Sequence, residues 1–314
     1  MMTESRHQGR NWCLAFLVNL MWAAQYPAYK VASDAMGIGA TNFWTFVIAT
    51  LCLLPFLIRD GRGRSGTKKA GTNWMQLVLL GALGNIPASV ILAWGIEHAS
   101  ASNAAILSLT IPVMMVWMGV LFLHERPQRL FLVSLILALA GAAVISWGDI
   151  AAGSLRHGML LGTAAILVGA LGSAFYNAYG KKVLESHSEL EMLVYGYVVT
   201  IVLCAPISLM LDPVPFYSVT HWHWRAWVGV LVLGLMSWGL AMAIWLWLLK
   251  RLEVAQISVS VYMLPALGVL LSAVTLGERL SLMQVAGALV VLASAYFCSA
   301  QKPTAISELQ NDRA

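Results

Sequence analysis

Charge is what this chain has least of. Asp, Glu, Lys and Arg make up 11% of its 314 residues, against 60% hydrophobic, and the mean hydropathy is +0.77. A soluble domain of this length has no use for so much apolar surface, whereas about 20 uninterrupted apolar residues cross a bilayer as a helix. Other absences narrow the function. No Walker-type phosphate loop occurs, so ATP is not the direct energy source. An intramembrane enzyme would need paired aspartates, a nucleophile with its base, or a HExxH helix at depth, and none is found. The four cysteines, Cys13, Cys52, Cys204 and Cys298, stand singly in apolar runs without CxxC spacing, which argues against disulfides and a metal site. His221 and His223, in HWHWR, are too few ligands for a metal and read as part of an interfacial aromatic belt. The sequence pI is about 9.1, but the basic residues sit between apolar runs and not along one stripe, so nucleic acid is not the expected partner.

Ten apolar runs remain. They cover 12–32, 41–58, 74–96, 101–123, 130–147, 158–180, 191–211, 225–249, 254–276 and 281–299. The runs are continuous and lack period-two alternation, so they read as helices and not as barrel strands. The opening MMTESRHQGR has no A-x-A-like cleavage site before a polar region, so the first run is expected to be a retained helix. With the N-terminus in the cytoplasm, fifteen of the Lys and Arg residues fall inside and only Lys30, Arg156, Arg225 and Arg279 outside. That bias places both termini in the cytoplasm, at the cell (inner) membrane.

The chain also repeats itself. Shifted by 153 positions without a gap, Trp94–Arg126 meets Trp247–Arg279: Trp94 on Trp247, Pro112 on Pro265, Val116 on Val269, Leu123 on Leu276, and Glu125-Arg126 on Glu278-Arg279. A proline in mid-run and a charged pair at the run's end, in one register, mark an internal repeat. Each copy holds five runs, an odd number, so the second must enter the membrane from the opposite side. The expected fold is an all-α integral membrane protein of ten transmembrane helices, built as two inverted five-helix repeats. The division is a cytoplasmic segment 1–11, a first repeat 12–147, a linker 148–157, a second repeat 158–299 and a cytoplasmic tail 300–314. Inverted repeats give two conformations of similar energy, the construction behind many secondary transporters.

These residues resemble the EamA family of the drug/metabolite transporter superfamily. The likeness lies in HERPQRLFLVSLILALAGAAV and GERLSLMQVAGALVVLASAY, which share a Glu-then-Gly pattern, and in MWAAQYPAYK, with its Trp-then-Lys spacing. SAFYNAYGK, ending at Lys181, is the counterpart in the sixth run. Departures are Ala23 where a Gly is usual, Ser134 opposite Gly287, and Ser294 opposite Gly141. The resemblance implies a central cavity surrounded by the first, third, fourth, sixth, eighth and ninth helices. It says nothing specific about cargo.

Polar residues within the spans are the candidates for that cavity, because each needs a partner or a water-lined wall. Asn19, Trp22, Tyr26 and Lys30 step by three or four along the first helix, and Pro27 frees the carbonyl of Ala23. Asn85 and Ser89 flank Pro87 in the third helix. Asn103 in the fourth and Gln256 with Ser260 in the ninth take matching positions; Tyr176 and Asn177 mark the sixth, and Trp238 the eighth. Against each stands the plainer reading that membrane Asn, Ser and Thr bond across helices for packing alone. Trp238 and Trp245 are expected against lipid or core. Lys30 is either an anion partner or a snorkelling side chain, and Glu125 and Glu278 either gate transport or fix helix ends. The carboxylates lie at or near span ends, which leaves a central proton relay without a carrier. The expected function is secondary transport, in the export direction, of small organic metabolites such as amino acids, related compounds or drugs. It needs no cofactor and couples to a proton or a counter-solute. A lipid translocator or scaffold on the same fold is the alternative.

Overall fold

The computed structural model describes residues 2–63, 73–98, 110–125, 127, 129–145, 160–211, 222–264, 266–267 and 282–299. Within them the chain is helical with no strand. The segments are α1 (Met2–Ala23), α2 (Gln25–Gly63), α3 (Trp74–His98), α4 (Ile111–Leu123), α5 (Arg129–Ile145), α6 (Leu160–Val183), α7 (Glu189–Leu211), α8 (Trp224–Leu249), α9 (Val254–Val261) and α10 (Leu282–Ser299). Five stretches among the described residues are long and apolar enough to cross a membrane: Val31–Asp60, Trp74–His98, Leu161–Val183, Glu189–Leu211 and Trp224–Leu249. The linker 148–157 and the tail 300–314 lie outside the described residues.

The first two apolar runs are separate helices, as expected, meeting at a sharp kink between them. α1 breaks at Ala24, the helix restarts at Gln25, and the backbone leaves the helical conformation at Gly37 before the second run begins. Its bend is at Gly37, whose φ of 78° and ψ of 166° suit a residue without Cβ. Polar side chains hold the bend. Thr41 Oγ1 donates to the Gly37 carbonyl at 2.6 Å, and Asn42 Nδ2 donates to the Ile38 carbonyl and the Tyr29 hydroxyl, both at 2.9 Å.

Two helices leave the α-helical register. α3 widens to i→i+5 turns over Leu80–Asn85 and Pro87–Ile91, and α8 over Val232–Ala241. Under the 153-residue shift these are the same part of the repeat: Asn85 corresponds to Trp238, and Gly84 to Ser237. Wide turns of this kind gather at functional sites, because they free carbonyls and re-aim side chains.

Neighbouring helices approach closely where glycines leave room. A Cβ on Gly172 of α6 would stand 2.5 Å from Cβ of Pro87 in α3, and one on Gly95 would stand 2.8 Å from the Ile166 nitrogen. α5 and α10, the last helix of each half, meet at Gly141 against the Gly287 carbonyl. Without water in the hydrocarbon, such contacts supply much of the packing energy between helices.

The ends of the bundle differ. Lys181, Lys250, Arg251 and Arg10 gather at one end with Glu125 and Glu189. At the other end Trp44 packs edge to face on Trp222 and Trp227, which are tilted against each other, beside the start of α8. Gly172→Val, forced against the rigid Pro87 ring, is expected to destabilise the protein by about 1–3 kcal/mol. Gly9→Ala, with nothing near its new methyl group, is expected to be neutral or mildly stabilising. Thermal denaturation of the purified variants checks both.

Candidate functional site

α1, α6, α7, α8 and α9 converge on a cluster of indoles, phenols and amides. Trp22 of α1 lies against Trp245 of α8, ring centroids 4.8 Å apart and tilted by 54°. Trp245 is buried, and its Nε1–H donates to Oδ1 of Asn177 at 2.6 Å. Asn177 in turn donates from Nδ2 to the Ser173 carbonyl at 2.8 Å. The widened turns of α8 offer two carbonyls to this cluster. Ser237 O accepts the Trp22 indole N–H at 3.4 Å, and Trp238 O accepts the Tyr197 hydroxyl at 2.7 Å. Trp238 is half-buried, between Phe46 at 4.7 Å and Tyr197 at 6.2 Å.

Among the described residues three buried polar atoms here have no partner, Oδ1 of Asn19, the hydroxyl of Tyr176 and the hydroxyl of Ser237; others, such as those of Thr45 and Thr50, lie elsewhere. The Asn19 amide is oriented by its neighbours. Its Nδ2 donates to the Ala15 carbonyl at 2.7 Å and to Ser260 Oγ at 3.3 Å, so Oδ1 is left as a bare acceptor. An orphaned buried polar group costs about 1–3 kcal/mol, and three beside one aromatic cluster call for a reason. The free set is one acceptor and two hydroxyls that can donate or accept, with indole and phenol rings around them. No Asp, Glu, Lys or Arg is among these side chains.

The remaining candidates divide. Asn85 is buried and donates to Thr200 Oγ1 at 3.0 Å, joining α3 to α7, and Ser89 donates to the Asn85 carbonyl of its own helix at 2.6 Å. Gln256 is half-buried, and its Oε1 accepts the Glu253 N–H at 3.4 Å in a capping box at the start of α9. Ser260 donates to the Ile257 carbonyl at 2.7 Å and accepts from Asn19. Asn103 and Glu278 lie outside the described residues, as do the side chains of Tyr26 and Lys30.

Glu125 closes the basic end below the cluster. α4 stops at His124, which takes the left-handed conformation (φ 55°), and the Glu125 N–H returns to the Gly119 carbonyl at 3.3 Å. The turn folds the carboxylate back over Gly119, where a Cβ would come within 3.0 Å of Oε2. Buried there, Oε1 accepts from Lys181 Nζ at 3.0 Å and from the Val254 N–H at 2.9 Å, and Oε2 accepts the Ala255 N–H at 3.2 Å. One carboxylate therefore caps the first turn of α9, 129 residues downstream, and meets the positive end of its dipole. Lys181 also donates to the Leu252 carbonyl at 2.6 Å. The network ties α4 and α6 to α9, and Lys250 reaches Glu189 at 3.5 Å beside it. Sequence reasoning offered Glu125 as a span-end charge; its role as the cap of a distant helix depends on folding. Glu125→Ala, which strands Lys181 and two backbone N–H groups, is expected to cost about 3 kcal/mol, and Glu125→Gln, which keeps one acceptor oxygen, clearly less. Thermal unfolding of both variants in one detergent checks the order.

Comparison with known proteins agrees with this architecture. A solved crystal structure superposes with a TM-score of 0.76 over 97% of this chain and 98% of its own, at 18% identity, which shows the fold. A probable terminal-alkyne amino-acid exporter of Streptantibioticus cattleyicolor is 28% identical over 274 residues, covering 85% of each chain. A probable amino-acid metabolite efflux pump of Salmonella typhimurium is 27% identical over 57% of this chain and 60% of its own. The model of the EamA-like transporter family matches residues 11–147 and again 160–300. With most of the chain matched in two consecutive copies, this protein belongs to the EamA-like transporter family, as an integral membrane transporter.

Proposed function

We propose that the chain is a secondary transporter that exports small organic metabolites, amino acids or related amphipathic compounds, by alternating access between two five-helix halves of inverted topology. The observation that carries this reading is the set of orphaned polar atoms, Asn19 Oδ1, Tyr176 OH and Ser237 Oγ, inside an aromatic cluster contributed by both halves. A cargo with both polar and apolar parts would satisfy those atoms and stack on Trp22 and Trp245. The cluster has no fixed charge among the described residues, which suits a zwitterion or a neutral solute better than a strong anion. Two relatives bear the names of an amino-acid exporter and an amino-acid metabolite efflux pump, which supports the same class of cargo.

Inverted topology is supported by the placement of equivalent residues. Trp247 near the end of α8 and Arg251 just past it stand at the basic end of the bundle, beside Arg10. Their counterparts Trp94 and His98 end α3 beside the start of α6, where Gly95 meets Gly162, Ala165 and Ile166. α6 then runs to Lys181 at the basic end. Ten spans, with both termini at the basic, cytoplasmic face, follow from this reading and the Lys/Arg bias. The Glu125 network is the closed gate of that face, and transport requires it to open.

The test is flux in proteoliposomes with pooled labelled amino acids and related metabolites, with and without a proton gradient. Trp22→Ala and Asn19→Ala are each expected to lower cargo-specific flux about tenfold, the loss of roughly 1.4 kcal/mol of contact. Flux unchanged in both would remove the cluster as the site. Lipid scrambling without solute flux would favour a lipid translocator instead.

A further inference from the structure

The repeat builds one small device twice and charges it once. Trp94 near the end of α3 and Trp247 near the end of α8 are equivalent, and one turn later stand His98 and Arg251. His98 stacks on the Trp94 ring with centroids 4.1 Å apart, and its Nδ1 lies 2.8 Å from the Trp94 carbonyl. Arg251 places its Cζ 3.6 Å from the centre of the Trp247 ring, and its Nη1 donates to the Trp247 carbonyl at 2.9 Å. Both indoles are half-buried, and both covering side chains are exposed. The two devices stand at opposite ends of the bundle: α3 begins with Trp74 beside Tyr195 of α7, near the basic end, and its 25 residues then run about 37 Å. That length exceeds the roughly 30 Å of hydrocarbon, which puts each indole at headgroup level.

Among the described residues only the basic end has a second cation. Arg10 of α1 holds its Cζ 5.4 Å from the centre of the same Trp247 ring. The two guanidinium carbons are therefore no more than 9.0 Å apart, the sum of the two ring distances. Among the described residues neither has a carboxylate partner. The acids nearby are engaged: Glu189 with Lys250, and Glu253 in the capping box of α9. Two positive groups stand over one ring at the membrane surface, with nothing negative between them among the described residues. Toward the hydrocarbon, Cys13, Leu17 and Leu20 follow Arg10 at steps of three and four on its own helix face, and all are exposed.

We propose that Arg10, Trp247 and Arg251 form a binding site for one anionic phospholipid of the basic leaflet. Its phosphodiester accepts from both guanidinium groups, its glycerol lies against the Trp247 edge, and an acyl chain runs along Cys13, Leu17 and Leu20. The arginines supply the planar forks that suit phosphate oxygens. The Trp94–His98 pair, with the same backbone return and no second cation, is the protein's own control. The site lies apart from the cargo cluster and does not depend on the cargo's identity.

Native mass spectrometry of the full chain, released from detergent with phosphatidylglycerol or phosphatidylcholine, tests it. Arg10→Gln and Arg251→Gln are each expected to weaken phosphatidylglycerol retention about fivefold, with phosphatidylcholine retention unchanged. His98→Gln is expected to leave both as in the unmodified chain, and thermal unfolding confirms that the variants are folded. Millimolar inorganic phosphate is expected not to displace the lipid. Equal phosphatidylglycerol retention in the doubly substituted protein, a parallel loss of phosphatidylcholine, or displacement by inorganic phosphate would each overturn the proposal.

Discussion

A polar group inside hydrocarbon has no water to turn to, and most of this structure follows from that constraint. Asn42, Thr41, Ser89 and Asn177 meet it by donating to a carbonyl four residues back on their own helix. Asn85 meets it across helices, at Thr200. The first N–H groups of α9, which no turn of their own helix can satisfy, are taken by Glu125 from the other half of the chain. Other buried polar atoms are left unpaired among the described residues, Thr45 and Thr50 of α2 among them, but Asn19 Oδ1, Tyr176 OH and Ser237 Oγ belong to the helices that meet at the aromatic cluster. There a transported molecule would meet the constraint.

The wide turns of α3 and α8 belong to the same argument. A π turn misaligns carbonyls with their ladder, and in α8 side chains of α1 and α7 occupy two of them. The corresponding stretch of α3 is packed by Gly172 and Gly169 against Pro87. Wide turns of this kind gather at functional sites, and these two sit at equivalent places in the two repeats.

Much of this was legible in the sequence, and the limit falls at contacts between distant residues. The apolar runs, the repeat and its family follow from order and composition, since a span needs only length and hydropathy. Asn19 and Trp22 were placed on one face by their three-residue step, and both stand in the cluster. Gln256 was read the same way, yet its oxygen serves a cap three residues away. Trp245 was expected against lipid or core; its indole is buried on Asn177, a partner 68 residues distant that no periodicity points to. The wide turns escape a 3.6-residue count altogether, although Gly81, Gly84 and Pro87 in α3, and Gly234 and Gly239 in α8, mark where a helix departs from regularity. The break at Gly37 falls in the gap between the first two apolar runs, although the bonds that hold it, from Thr41 to Gly37 and from Asn42 to Ile38 and Tyr29, are visible only in the fold.

The central claim is that the buried cluster at Asn19 becomes open to each side of the membrane in turn and holds cargo there. The direct measurement is labelling of Asn19→Cys, in a chain whose four native cysteines are replaced by alanine, with a membrane-impermeant maleimide applied to either face of oriented vesicles. Alternating access predicts slow labelling from both faces, and protection from both by a transported amino acid. Labelling from one face alone, or from neither in an active protein, would contradict it.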